Sequence, residues 1–230
     1  MQGKYVVADP RQADSLKQLS KAITAWDPLF SLRFSRGESL YGGILTSYGL
    51  SVGSTTLVYR DRREAVEPGD AVVMPPSVRV AAQPAADFLW VCYEGLPPAH
   101  LSGPNGIAAG FERFALASAT QESTDQGRCR RVLPTTDLRH RVHCNLVETE
   151  NGAPHAGTDL VELHYVLTGQ GEARVGPSPD QLGGVLVSEG ALIAIGPGVS
   201  FAPCNGLVLC TWFLFSEMAH RRRVRAAGVA

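Results

Sequence analysis

The chain has 230 residues, enough for one large or two small domains, and its 44% hydrophobic, 19% charged composition excludes a disordered chain. A formal net charge of -1 gives no overall field to hold a polyanion, so composition speaks against a nucleic-acid partner. The 24 glycines and 15 prolines are spread along the length, which suits many short strands and tight turns, and the expected fold class is all-β.

Leu16, Leu19, Ile23 and Trp26 are spaced by three, four and three, which predicts a short amphipathic helix over Arg11 to Trp26. Short apolar runs follow between Gly, Pro, Asp and Ser, and they predict strands at Leu40 to Tyr48, Thr55 to Tyr59, Ala71 to Met74 and Phe88 to Tyr93. A second series is expected at His143 to Val147, Leu160 to Leu167, Glu172 to Val175, Gly184 to Val187, Ala191 to Ile195 and Leu207 to Phe215. Between them, Gly95 to Thr136 reads as a junction, with some strand around Phe111 to Ala117. The chain closes on the basic run His220 to Arg225, read as a solvated, frayed helix end.

Five cysteines (Cys92, Cys129, Cys144, Cys204, Cys210) are an odd number without a C-x-x-C pair, so they read as reduced thiols. Met1 to Arg11 lacks an apolar signal core, and the expected location is cytoplasmic. The uncharged stretch between Glu189 and Glu217 is long enough for a bilayer. It is broken by Gly190, Gly196, Pro197, Gly198 and Pro203, and buried strands explain it better than a membrane span.

The two series share a faint repeat. Val66 to Val80 and Val187 to Phe201 line up residue for residue, placing Gly69 on Gly190 and Pro76 on Pro197. Two copies of one β unit are therefore expected in a single chain.

These residues resemble the cupin superfamily, whose motifs are G-x5-H-x-H-x(3,4)-E-x6-G and G-x5-P-x-G-x2-H-x3-N. His155, Glu162 and Gly169 take places in the first motif, and Gly157 stands in the second histidine place. Gly190, Gly198 and Asn205 match the second motif, with Gly196 in the proline place and Phe201 in the histidine place. In the first half Gly69 and Pro75 match, while Ser77, Val80 and Pro84 stand where glycine, histidine and asparagine belong. The resemblance implies two double-stranded β-helix barrels per chain, a bicupin. Its expected parts are an N-terminal helical segment (1–26), a degenerate barrel that has lost its metal site (27–95), a junction (96–136), a C-terminal barrel (137–216) and a basic tail (217–230).

A cupin centre uses three histidines and a glutamate around Fe, Mn, Ni or Zn. Residues two apart on a strand face the same side, so His164 is expected to share a cavity with Glu162. His155, Glu162 and His164 then form a two-histidine, one-carboxylate metal set. His143 and Asn145 share a face on the preceding strand and are candidates for ligand binding. Phe201 cannot ligate; it either packs against a small ligand or plugs the barrel. Cys204 is a soft-metal ligand only if it faces inward. Without metal, Glu162 between histidines remains a catalytic residue for proton transfer.

Three functions stay open. The first is a small-molecule enzyme performing a lyase, isomerase or dioxygenase step, with or without a divalent metal. The second is a non-catalytic binding or sensing protein, and the third a structural or storage assembly. Edge strands that need cover point to a homodimer.

Overall fold

The structure, a computed structural model, describes residues 5–41, 43–95, 101, 110–133 and 138–228. Parts of the expected N-terminal segment, junction and tail (1–4, 96–100, 102–109, 134–136 and 229–230) lie outside the described residues. The fold is all-β with two α-helices among the described residues, and all strand pairs are antiparallel. No helix among them is long and apolar enough to cross a membrane.

The chain opens with β1 (Tyr5–Ala8) and α1 (Ala13–Trp26), two residues shorter than expected. Leu19 and Ile23 form its buried stripe, and Asp27, which precedes Pro28, leaves the helix in an extended conformation. The chain forms two compact units, Leu29–Ala119 and Met1–Pro28 together with Thr120–Ala230.

The unit Leu29–Ala119 contains β2 (Phe30–Tyr41), β3 (Thr46–Ser51), β4 (Thr55–Tyr59), β5 (Arg62–Val66), β6 (Ala71–Met74), β7 (Arg79–Tyr93) and β8 (Glu112–Phe114). They form one sheet in the order β5-β4-β7-β3-β6-β8, with β2 also on β7. The predicted strand Leu40 to Tyr48 is thus two, β2 ending at Tyr41 and β3 starting at Thr46. The core gathers Leu40, Leu57, Val72, Phe88, Trp90 and Phe111. Asp70 is buried beside it, accepting bonds from Arg113 at 2.7 and 2.9 Å and from the Leu116 amide at 2.8 Å, which satisfies its charge and fixes β8 to β6.

The other unit adds β9 (Thr120–Thr124), β10 (Gly127–Leu133), β11 (Val142–Thr149), β12 (Val161–Thr168), β13 (Gln170–Ser178), β14 (Gln181–Ser188), β15 (Leu192–Ile195), β16 (Ser200–Ala202), β17 (Val208–Leu214) and α2 (Glu217–Ala226). One sheet runs β1-β15-β12-β17-β11-β10-β9, and a second runs β14-β13-β16. The stretch expected as a junction therefore holds strands: β8 belongs to the first unit, and β9 and β10 extend the second unit's sheet. Their polar sequences hid them, because both lie at sheet margins where one face meets water.

The tail is likewise ordered over its described part. α2 is capped by Ser216, whose hydroxyl accepts from the Ala219 amide. Arg223 reaches back to the His140 carbonyl at 2.9 Å, and Arg222 pairs with Asp159 at 2.6 Å.

The repeat is visible in the backbone. Gly69 (φ +90°) and Gly190 (φ +87°) both take the left-handed conformation, and each donates a 2.9 Å bond, to the Ser51 and Val166 carbonyls respectively. Ser77 (φ +67°) shares that conformation with its counterpart Gly198 (φ +77°).

Candidate metal centre

The interior of the second unit is built by strand alternation. On β12, Glu162 and His164 face one side and Leu163 and Tyr165 the other. On β17 the inward row is Leu209, Thr211 and Phe213; on β11 it includes Asn145 and Val147. The inner part is apolar, formed by Val166, Ile193, Ile195, Phe201 and Leu209. The outer part is polar and opens into a cavity of about 220 Å³ bordered by His155, Glu162, His164, Thr211, Asn145 and Arg131 among others. A larger surface hollow of about 480 Å³ at Gln170, Gly171 and Leu186 has no ionisable side chain on its wall and is not a catalytic candidate.

His155, Glu162 and His164 meet in this cavity, with one donor atom from each lying within 4.8 Å of the others. Glu162 Oε2 is 3.4 Å from His164 Nε2 and 3.6 Å from His155 Nε2. His155 stands in the loop before β12, where an isolated two-way bridge to Phe201 fixes its backbone at 2.9 and 3.3 Å. The Thr158 hydroxyl donates to Glu162 Oε1 at 2.7 Å, and His164 Nδ1 lies 3.0 Å from the Thr211 hydroxyl.

His155 Nδ1 lies 3.2 Å from the Ala156 carbonyl, which only accepts, so Nδ1 is a donor there, and it is the neutral ring that presents an Nε2 lone pair toward the cavity. Burial alone would raise the Glu162 carboxyl; His164, His155 and Thr158 outweigh it and hold the group below its usual range. Burial lowers the His164 imidazole, and His155 adds to this against the pull of Glu162. A carboxylate held in its ionised form thus faces the His164 ring, whose burial disfavours the protonated form. Glu162 Oε2 and His164 Nε2 are buried 3.4 Å apart without a hydrogen-bond partner of normal geometry, and in the tautomer whose Nδ1 donates to Thr211 both turn lone pairs to a site that a cation can fill. The residues present fit a divalent metal with mixed nitrogen and oxygen ligands.

The two vacant motif places have different causes. At Gly157 a Cβ would come within 2.4 Å of the Gly198 carbonyl carbon and 2.5 Å of the Val199 nitrogen, so no side chain fits without moving backbone. Phe201 is 1% exposed and stacks on His164, with ring centroids 4.1 Å apart and an interplanar angle of 21°. It lies beneath the histidines as part of the apolar interior, which is the plug alternative.

The other candidates separate. Asn145 borders the cavity, whereas His143 packs on Phe215 at 4.6 Å between ring centroids and against the Arg223 guanidinium of α2. The tail helix occupies its ring, and it is placed apart from the cavity. Cys204 packs against the apolar cluster, and burial raises its thiol. Sequence reasoning missed Thr158, Thr211 and Arg131. Thr211 had a readable signal, a lone polar residue at an inward position of an apolar strand; Arg131 was hidden in the polar stretch taken for a junction.

No family model matches the chain, and no curated protein matches it in sequence. Solved structures do. Ylba from E. coli has a TM-score of 0.60 at 11% identity, covering 93% of this chain and 92% of that one. Streptomyces albus HEPD, solved with 2-hydroxyethylphosphonate and Fe(II), has a TM-score of 0.58 at 13% identity over 87% and 71%. A deletion mutant of Bacillus subtilis oxalate decarboxylase gives 0.57 at 14% identity over 81% and 68%. Identities this low speak for the fold alone.

Proposed function

We propose that this chain, which has the cupin fold, is an enzyme that holds one divalent cation at His155, Glu162 and His164 and acts on a small organic molecule in a lyase, isomerase or dioxygenase step. The observation that carries the reading is the set of three potential ligand atoms gathered at the wall of a cavity, two of them buried and without hydrogen-bond partners. Fe, Mn, Ni and Zn all suit such a donor set, and HEPD, with its Fe(II), makes iron the first to test.

A bound cation would supply Lewis acidity and an open coordination position. The chain's own residues supply the rest. Glu162 brings the negative charge, Thr158 orients its carboxylate, and Thr211 sets the plane of the His164 ring. Phe201 keeps water from the inner side of both histidines. Where no cation binds, Glu162 is the group placed to move a proton.

Elemental analysis of untagged protein tests the reading. About one equivalent of Fe, Mn, Ni or Zn is expected, with Glu162→Gln weakening it by roughly 100-fold or more at unchanged fold. Metal far below one equivalent, unaffected by Glu162→Gln, removes the reading. Phe201 in the fourth ligand's place favours the alternative, a non-catalytic binding or sensing protein, which the same result would bring forward.

The reading extends to the chain as a whole. Each unit is taken as one barrel of a bicupin, supported by the matched turns, and the chain as a cytoplasmic homodimer. Leu186, 81% exposed on the edge strand β14, supports an association surface. A single-chain mass by light scattering would count against the dimer.

A further inference from the structure

Arg131, Asn145, Thr211 and His164 stand in one line across four adjacent strands: Arg131 pairs with Asn145, Asn145 with Thr211, and Thr211 with His164. All four border the cavity. The line is polar from end to end on a sheet whose next inward row, Val147, Leu209 and Val166, is apolar. Thr211 is engaged by His164. Asn145 is different. It is 8% exposed and its Oδ1 is buried without a hydrogen-bond partner. A buried amide acceptor left open at a cavity wall costs stability unless something brought into the cavity donates to it.

Arg131 closes the far end of the line. Glu122 takes its Nε and Nη2 and holds the guanidinium at the wall, yet a guanidinium has five donors in a fixed fork, more than one carboxylate accepts. Asp125, exposed at the β9–β10 turn, also borders the cavity, but there water screens it. The volume of about 220 Å³ holds a ligand of on the order of seven water-sized groups at about 30 Å³ each.

We infer that the cavity takes a small carboxylic acid bearing a hydroxyl or ammonium donor beside its carboxylate, with Arg131 binding the acid group and Asn145 Oδ1 accepting from the donor. Arg131 and Asn145 are thereby substrate-selecting residues, and the inference rests on the metal-centre reading for what meets the ligand's other end.

The test is calorimetric titration of glycolate, acetate and ethylene glycol into zinc-loaded protein, with zinc uptake measured first on the same sample. Glycolate is expected to bind at least about tenfold tighter than acetate, which lacks the donor, or ethylene glycol, which lacks the charge. Asn145→Leu should erase the preference over acetate; Arg131→Gln, a change at a half-exposed site that spares the core, should weaken glycolate and acetate together. Equal binding of glycolate and acetate, no binding of glycolate, or no effect of Arg131→Gln overturns the inference. Absence of zinc uptake sinks the metal centre instead. The same titrations on the metal-free chain then decide the line of residues, since neither Arg131 nor Asn145 is a ligand.

Discussion

Gly49 in the first unit holds the register position that His164 holds in the second. Each lies two residues before a strand residue, Ser51 or Val166, that accepts from the repeat glycine, and each is paired with β7 or β17, opposite Trp90 or Thr211. By the same offset Ser47 replaces Glu162, and Leu40, paired with Val80, replaces His155, bridged to Phe201. Trp90 fills the room this leaves: a Cβ on Gly49 would sit 2.4 Å from its indole ring. The indole is anchored by donation to the Ser35 hydroxyl at 2.7 Å and lies under Arg33.

Gly49→Ala is therefore expected to destabilise the first unit by about 1–3 kcal/mol through overpacking. Thermal melting should show the loss, and metal content should stay unchanged. Unaltered melting would mean that Trp90 moves aside freely.

Thr211→Val keeps the shape of the side chain but removes the partner of His164 Nδ1. Metal affinity should fall by roughly 10- to 100-fold, the usual cost of losing a group that orients a ligand. Competition with a chromogenic chelator measures it, and a change below about twofold would show that ring stacking on Phe201 suffices to orient His164.

Phe201→His places a third imidazole, and so a fourth candidate ligand, beside His155, Glu162 and His164. Tighter metal binding is expected, together with a loss of about 1–3 kcal/mol of stability as a buried aromatic is replaced by a polar ring. Calorimetric titration with Zn(II) before and after the change reads the first, and chemical denaturation the second.

His220 offers a pH-dependent contact. Burial, then Arg141 and Arg223, push its pKa down to about 4 against the opposing pull of Glu217. The folded protein thus binds this proton less readily than the unfolded chain, so its contribution is fully present above about pH 6.5 and fades as pH falls toward about 4. Protection of the α2 amides, taken relative to the intrinsic exchange rate at each pH, should fall through that window, and His220→Gln should remove this part of the change.

Much of this was legible. Strand alternation alone placed Glu162 and His164 on one face, and motif spacing brought in His155, because both depend on local geometry that the chain states directly. The parity of β11 put Asn145 in the cavity but also suggested His143, whose surroundings depend on Phe215 and Arg223, far along the chain. β9 and β10 escaped notice for a related reason: their polarity reads as loop until β11 is known to lie beside them. Trp90 falls within the strand expected at Phe88 to Tyr93, and only its apposition to Gly49 shows what it fills.

The pairing of β1 with β15 has a bearing on how the unit is assembled. Tyr5 to Ala8 sit against Leu192 to Ile195, so a strand that precedes Leu29–Ala119 has its partner far beyond it, and all of Leu29–Ala119 lies in the sequence between the two parts of one unit. A fragment beginning at Thr120 would carry His155, Glu162 and His164 yet leave the β15 edge bare, next to β12 with Glu162 and His164. The unit that gathers His155, Glu162 and His164 is thus not separable at Thr120; the strand that covers its β15 edge comes from the other side of Leu29–Ala119 in the sequence.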